Sequence, residues 1–290
     1  MRWAWLALLC WPLLAAAAVE VVDDAGQRLQ LPAPAQRVIS LAPHATELLF
    51  AVGAGEQVVG AVSHSDYPPA AREVPRVGGY DAVDLERIVA LDPDLVVAWG
   101  SGNGTRTIQR LRELEVPVYV SEPRTLADIA AALERLGTLT GHGERGHERA
   151  EVFRARWDAL RRRYAGAEPV TVLYQIWNRP LMTVNGEHLI SDIIRLCGGR
   201  NAFAEADALA PSITREAVLG ADPEAIVASG MGASRPEWLD DWRQWPGLRA
   251  VREGHLYHVH PDLLQRHGPR ILDGAERLCR HLQRVREVQP

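Results

Sequence analysis

The chain has 290 residues, 47% hydrophobic and 24% charged, which is enough apolar material for two domain cores and leaves no low-complexity tract to suggest disorder. Its 32 basic and 37 acidic residues give a net charge of −5, and the one dense basic run, RRRYAG at 161–166, ends a helical pattern. A nucleic-acid partner is therefore not expected.

The opening stretch MRWAWLALLCWPLLAAAA joins one arginine to a short apolar core broken by Pro12 and closes on small residues. It reads as a secretory signal peptide over 1–18, cut after Ala18, since the apolar run is short for a membrane span. Cys10 follows the bulky Leu9 and comes too early for a lipidated cysteine, so a free, soluble, exported protein is expected. Export leaves Cys197 in RLCGG and Cys279 in RLCRHL. An even pair in an oxidising compartment suggests one disulfide, with two buried free thiols as the alternative. A bridge would staple the C-terminal helix to its own half of the chain.

From residue 37 strands and helices alternate. RVISLA reads as a strand, TELLFAVGAG as a helix capped at Thr46, and QVVGAVS as a second strand. Asp84 caps a helix over 85–91, and Asp92-Pro93 stops it before the strand DLVVAW; TRTIQRLRELE and VPVYVS add a helix and a strand. Residues 19–124 thus form an α/β lobe. TLADIAAALERLGTLTG and HERAEVFRARWDALRRRYAG carry helical apolar spacing on either side of a glycine-rich break at 141–146. Residues 125–167 are accordingly a helical segment whose second helix, about 30 Å long, is a stiff strut.

PVTVLYQIW opens a second lobe over 168–290, in which SDIIRLCGG answers TELLFAVGA and Thr214 caps the counterpart of the helix after Asp84. LERIVALDPDLVVAWG at 85–100 is repeated in form by REAVLGADPEAIVASG at 215–230. The expected fold is therefore α/β: two lobes of similar plan with central, mostly parallel sheets, joined by a single long α-helix.

Ligands of such lobes sit in loops beyond the carboxyl ends of the strands. Those loops are APHAT, HSDYPP, GSGNGT, WNRPL and PDLLQRHGPR, and they offer His44, His64, Trp99 and Trp177 to a large, partly apolar molecule. Gly268-Pro269 reads as a helix start, leaving Asp262 and Arg266 in the loop before it, able to bond amides or a phosphate. GSGNGT, with Glu122 roughly twenty residues on, resembles a dinucleotide loop but has Thr105 where the third glycine belongs. A nucleotide-dependent α/β enzyme is a remote alternative, and no G-x-S-x-G, P-loop or H-E-x-x-H is present. In HLYHVH a strand would put only His258 and His260 on one face, with His255 opposite, so ordinary strand residues are favoured over a metal site. Glu86 and Glu216 occupy the first turns of the repeated helices, where the dipole stabilises an acid by about 0.3–1 kcal/mol. One per lobe, they also form a two-point acidic contact for a basic partner.

RVISLAPHATELLFAVGA, SHSDYPP, DLERIVALDPDLVVAW and the later CGG, TRE and GPRILDGAERLC resemble the periplasmic cobalamin-binding proteins of the BtuF type, within the wider helical-backbone class (class III) of binding proteins for siderophores and haem. The resemblance implies a corrinoid held between the lobes, as ligand and not as cofactor, and delivered by a monomer to the permease dimer of an ABC importer. Glu86 and Glu216 match the permease-docking glutamates, and Cys197 and Cys279 match a bridged pair. Trp99, Asp262 and Arg266 stand where the cobalamin binders have the same residue types. His64, Tyr80 and Ala210 stand where those proteins have tyrosine, tryptophan and tryptophan, and a phenylalanine position falls at Leu181 or Met182; Trp177 is a candidate to restore aromatic surface. A haem or ferric-siderophore binder, with His44, His64 or Tyr80 near the metal, is the alternative on the same scaffold. No enzymatic activity and no resident metal are expected.

Overall fold

Three-residue to six-residue runs of β-branched and leucine residues, each closed by a polar or glycine-rich turn, supply the strands of two separate parallel sheets. In the computed structural model, which describes residues 18–230 and 234–288, these runs are largely buried, apart from the edge runs GRN at 199–201 and LYH at 256–258, which are partly exposed. The expected signal segment up to residue 17, Cys10 included, lies outside the described residues. Among the described residues no helix is long and apolar enough to cross a membrane.

A hairpin of β1 (Val19–Val22) and β2 (Arg28–Leu31) precedes the first lobe. That lobe contains β3 (Val38–Ser40), α1 (Pro43–Ala51), β4 (Val58–Ala61), α2 (Leu85–Ala90), β5 (Leu95–Trp99), α3 (Gly100–Asn103), α4 (Thr105–Glu113) and β6 (Val118–Ser121). Its parallel sheet runs β4-β3-β5-β6. The Thr46 cap is corrected: α1 begins at Pro43, whose fixed φ and missing N–H suit a first helical turn. Thr46 lies inside the helix, its hydroxyl bonding Ser40 Oγ at 2.8 Å and Ser65 Oγ at 2.9 Å. Asp84 does cap α2, accepting from the Arg87 amide at 3.0 Å.

α5 (Leu126–Leu139) starts with a reciprocal box, Thr125 Oγ1 accepting from the Asp128 amide and the Asp128 carboxylate from the Thr125 amide. The strut is α6 (Gly143–Tyr164), 22 residues and so about 33 Å long. The two helices cross at glycines: a Cβ on Gly146 would lie 2.7 Å from the Leu133 carbonyl oxygen and 3.0 Å from Gly137 Cα. Only hydrogen at both positions permits that approach.

The second lobe follows with β7 (Val170–Gln175), the short hairpin β8 (Trp177–Asn178) and β9 (Leu181–Met182), α7 (Leu189–Leu196), β10 (Gly199–Asn201), α8 (Arg215–Ala221), β11 (Ala225–Ala228), α9 (Arg249–Arg252), β12 (Leu256–His258), α10 (Pro261–Leu264) and α11 (Ile271–Val288). Its parallel sheet runs β10-β7-β11-β12. Written by order of appearance, both sheets read second-first-third-fourth, so the repeated sequence phrase is one segment of a duplicated topology. α2 and α8 are the equivalent helices, and Thr214 caps the latter through the Ala217 amide at 3.2 Å.

Each sheet has an outer apolar layer of its own, built on Ile39, Val96 and Leu111 in the first lobe and on Leu173, Ile226 and Trp242 in the second. The inner layers are not separate. One continuous apolar cluster runs from Leu48 and Leu133 through Phe153, Leu160 and Tyr164 of the strut to Ile193, Leu278 and Leu282. The lobes are therefore held by a shared core along α6 as well as by the chain connection.

Cys197, at the end of α7, is bonded to Cys279 of α11, with Cα atoms 4.7 Å apart and a sequence separation of 82. Both are fully buried. The bond ties the C-terminal helix to its own lobe, as expected for a bridged pair. Closing a loop of that length restricts the unfolded chain, so replacing both cysteines by serine should lower the unfolding free energy by about 2–4 kcal/mol, read from urea denaturation of the oxidised protein and the variant.

Candidate ligand site between the lobes

Trp99 ends β5 at the carboxyl edge of the first sheet. The GSGNGT stretch behind it, expected as an open loop, is a helical turn, α3, folded back under the indole. A Cβ on Gly102 would fall 1.9 Å from Trp99 Cε3, so the ring lies directly on that glycine. Asn103, buried, fixes the turn: its Oδ1 accepts from the Trp99 amide at 2.6 Å, and its Nδ2 donates to the carbonyls of Leu41 at 2.9 Å and Tyr80 at 2.6 Å. Three loops at the sheet edge thus share one side chain. Glu122 accepts from Ser101 N at 2.6 Å and Ser101 Oγ at 3.0 Å, so this carboxylate closes its own loop and does not present the ribose-binding acid of a dinucleotide site.

Around Trp99 stand two further predicted residues. The Tyr80 ring lies 5.6 Å away at a tilt of 47°, and His44 meets the indole edge-on at 5.6 Å. His44 was expected in a loop but sits in the first turn of α1, because the helix starts at Pro43; it is buried, with Nε2 3.3 Å from Ser121 Oγ. His64 lies on the exposed turn after β4, with a left-handed φ of 65°.

Asp262 and Arg266 are brought together, with one correction. Asp262 belongs to α10 and not to a loop, because Pro261 occupies a first helical position and His260 Nδ1 accepts from the Asp262 amide at 3.1 Å. Arg266 follows the helix, forms an ion pair with Asp262 Oδ1 at 2.9 Å, and donates to Asp66 Oδ1 at 2.7 Å and to Glu47 Oε1 at 3.3 Å. Although partial burial pushes the Asp66 carboxyl up, its hydrogen bond with Arg266 and that residue's charge hold it below the usual carboxylate range. Glu47 also takes both arms of Arg270, at 2.8 and 2.5 Å. Gly268 lies against α1, where a Cβ would be 3.6 Å from Glu47 and 3.7 Å from the His44 carbonyl. Through His44 and Glu47, α1 therefore connects the Trp99 group to the Asp262–Arg266 pair.

Sequence reasoning missed Glu47, Asn103, His188 and His267. His188 caps α7, its Nδ1 accepting from the Ile190 amide, and meets His267 edge-on at 5.5 Å, while His267 Nδ1 donates to the Pro123 carbonyl at 3.0 Å. The signals were present as a histidine immediately before an apolar helix and as a polar residue following an arginine, but each is common elsewhere. In HLYHVH the strand ends at His258, so His260 shares no strand face with it. His255 bonds the Tyr257 hydroxyl at 2.9 Å and His258 the Ser229 carbonyl at 3.2 Å.

The opposing surface is different in character. Met182 bridges to Ser212, and the amide of Asn185 donates to the Leu209 carbonyl at 3.0 Å, so residues 209–212 run beside the β9 edge. Ala210 is exposed there, and Leu181 is buried. Trp177, 37% exposed, donates through Nε1 to the Arg179 carbonyl and lines a groove with Trp238, Glu237 and Asp241. It is not packed with the Trp99 group. Glu86 and Glu216 are exposed and hold the second helical position of the equivalent helices α2 and α8. Hydrogen bonds from its own amide and from Thr214 lower the Glu216 carboxyl from its ordinary value. Among the described residues Glu134, His147 and Glu151 have the spacing of a metal cluster, but Arg154 donates to Glu134 Oε1 at 2.8 Å and Glu151 Oε1 at 2.7 Å and already neutralises them.

With this geometry in place, comparison with known proteins is decisive on family. Residues 38–263 match the family described as Periplasmic binding protein. The chain belongs to that family. The Vitamin B12-binding protein of Vibrio cholerae serotype O1 is 38% identical over 256 residues, covering 88% of this chain and 92% of its own. That of Photorhabdus laumondii is 38% identical over 247 residues, covering 85% and 87%. The crystal structure of the periplasmic vitamin B12 binding protein BtuF of Vibrio cholerae superposes with a TM-score of 0.81 at 36% identity, over 88% of this chain and 99% of that one. The periplasmic heme-binding protein BhuT, in complex with two hemes, follows at 0.77 and 25%, over 86% and 98%. The two-lobed fold joined by a long helix is thus that of this family of binding proteins.

Burial pushes His44 and His188 each down to about 3, with the charge of His267 as a lesser cause, and burial lowers His267 as well. Unfolded imidazoles take up protons near pH 6.5, so the folded state carries its full stability above that value and loses it as pH falls towards 3. Each of the two should cost about 1.4 kcal/mol per pH unit inside the window. Urea unfolding should therefore show lower stability at about pH 5.5 than at about pH 7.5, above the ordinary range of carboxylate titration, and His188→Asn, which keeps a capping acceptor, should flatten the slope.

Proposed function

We propose that the protein captures cobalamin or a related corrinoid between its lobes in the periplasm and delivers it to the permease dimer of an ABC importer. The observation that carries this reading is the packing of Trp99, Tyr80 and His44 on one lobe, joined through α1 to the Asp262–Arg266 pair, in a chain 38% identical over most of its length to a vitamin B12-binding protein. Trp99 and Tyr80 offer an aromatic face to a macrocycle, where ring contact contributes beyond area alone. Asp262 and Arg266 supply an acceptor and a fork of donors suited to peripheral amides. Without ligand they satisfy each other and Asp66, so capture exchanges one set of hydrogen bonds for another and leaves no buried charge unpaired.

The opposite face carries Met182 and Ala210, so aromatic contact is concentrated on the first lobe. Haem-binding neighbours support the alternative less well: they match at 25% identity, and His44, the most central candidate for a metal, is buried against Ser121. Of the remaining candidates, His64 and Tyr80 are exposed.

Glu86 and Glu216 support delivery, being exposed acids at matching positions of duplicated helices, one on each lobe. They would engage two equivalent basic sites of a permease dimer, with the binding protein itself a monomer.

Absorption titration with cyanocobalamin, cobinamide and haemin should show saturable binding of a corrinoid in preference to haemin. Trp99→Ala should weaken corrinoid binding about tenfold or more; haemin binding with no corrinoid response would reject the assignment. Replacing both Glu86 and Glu216 by alanine should abolish corrinoid uptake by cells carrying the importer and leave affinity nearly intact. A large affinity loss in that variant would rule out a docking role.

A further inference from the structure

A cavity of about 390 Å³ lies where α1, the Tyr67–Pro68 turn, the strut α6 and the start of α11 meet, and none of the predicted ligand residues lines it. Its apolar lining includes Phe50, Leu133, Phe153 and Leu272, and its charged lining is four arginines against Glu47 and Asp273. Two of the arginines are already engaged. Arg270 is held by Glu47 and lies over the Tyr67 ring at 3.8 Å, and Arg156 donates to Asp273 and Glu276, each at 2.8 Å.

Arg145 and Arg149 are different. They stand one turn apart on α6 and have no acidic partner among the described residues. Arg145 is in the first turn of that helix, where the exposed amides and the dipole favour an anion and not a cation. Its side chain is laid over Gly53, where a Cβ would come within 3.0 Å of Arg145 Cδ, so the absence of a side chain at residue 53 lets the arm cross towards the cavity.

We propose that this cavity is a second ligand site, separate from the interlobe site, for a small anion with an apolar body: the charged head between Arg145 and Arg149, the body against Phe50 and Phe153. An anion supplies the acidic partner that neither guanidinium group has among the described residues. An apolar body suits the site because Phe50, Leu133, Phe153 and Leu272 line it beside the arginines. The volume falls within the ordinary range for small-molecule sites. Because the lining comes from the first lobe, the strut and α11, an occupant touches all three parts that meet at the joint.

Isothermal titration of the whole protein with phenyl phosphate, inorganic phosphate and phenol tests this. Phenyl phosphate should bind more tightly than either fragment, and Arg145→Ala with Arg149→Ala should weaken it about tenfold or more. Val152 lies at the exposed rim of the cavity, so Val152→Trp should fold normally and narrow the space; it should weaken phenyl phosphate and leave inorganic phosphate unaffected. Trp99→Ala should leave phenyl phosphate affinity unchanged. Absence of phenyl phosphate binding, affinity unaltered in the double arginine variant, or loss on replacing Trp99 would each overturn the proposal.

Discussion

The carboxylate of Glu47 is the joint on which the arrangement of the two lobes depends. Its side chain is 2% exposed, and an acid so buried is tolerated only when paired and hydrogen-bonded. Its partners, Arg266 and Arg270, come from the far end of the chain, one on each side of the bend between α10 and α11. Glu47 therefore fixes the angle at which the C-terminal segment crosses α1. That angle places Arg266 against Asp66 and Asp262, and Arg270 over Tyr67. Buried ion pairs of this kind contribute little net stability compared with an apolar contact of the same shape, but removing one partner strands a charge. The joint thus specifies geometry more than it adds to the folding free energy.

Most of the fold was legible because it rests on local pattern. Period-two and period-3.6 apolar spacing, Asp84 and Thr214 as caps, and the repeated phrase at 85–100 and 215–230 each report on neighbours a few residues away. The duplication carried furthest, since it anticipated two sheets whose strands have the same order. The errors were local competitions decided by proline. Pro43 drew α1 three residues earlier than Thr46 and took His44 out of its loop, and Pro261 started a helix that took in Asp262. GSGNGT was expected as an open ligand loop, whereas its glycines let a helical turn pack beneath an indole.

Glu47 and Asn103 could not be reached by the same reasoning. In sequence Glu47 is a single acid in a mostly apolar helix, and its partners lie 219 and 223 residues away. Nothing in their local context separates them from solvated surface charges. Asn103 was overlooked for a related reason: its partners are the amide of Trp99 at the end of β5 and the carbonyls of Leu41 and Tyr80, and backbone groups carry no sequence signature. Residues that position a site through main-chain contacts are therefore the least visible in a single sequence, even where the residues they position are plain.

The same construction bears on how such a protein can release what it holds. A glycine-serine linker would let the lobes separate freely, but here a 22-residue helix, an apolar cluster continuous across it and the Glu47 joint all resist that movement. Opening the interlobe site then means disturbing packed side chains and paired charges together, which thermal motion of a hinge loop does not supply. Force applied to one lobe would be passed to the other through α6. A partner gripping α2 and α8 holds both lobes at equivalent points, so any change in the spacing of its two contacts acts directly across the joint. Under the proposed docking, stiffness between the lobes and duplicated acidic positions on them would be one design: the first would keep the site assembled, and the second would give a partner two handles with which to take it apart.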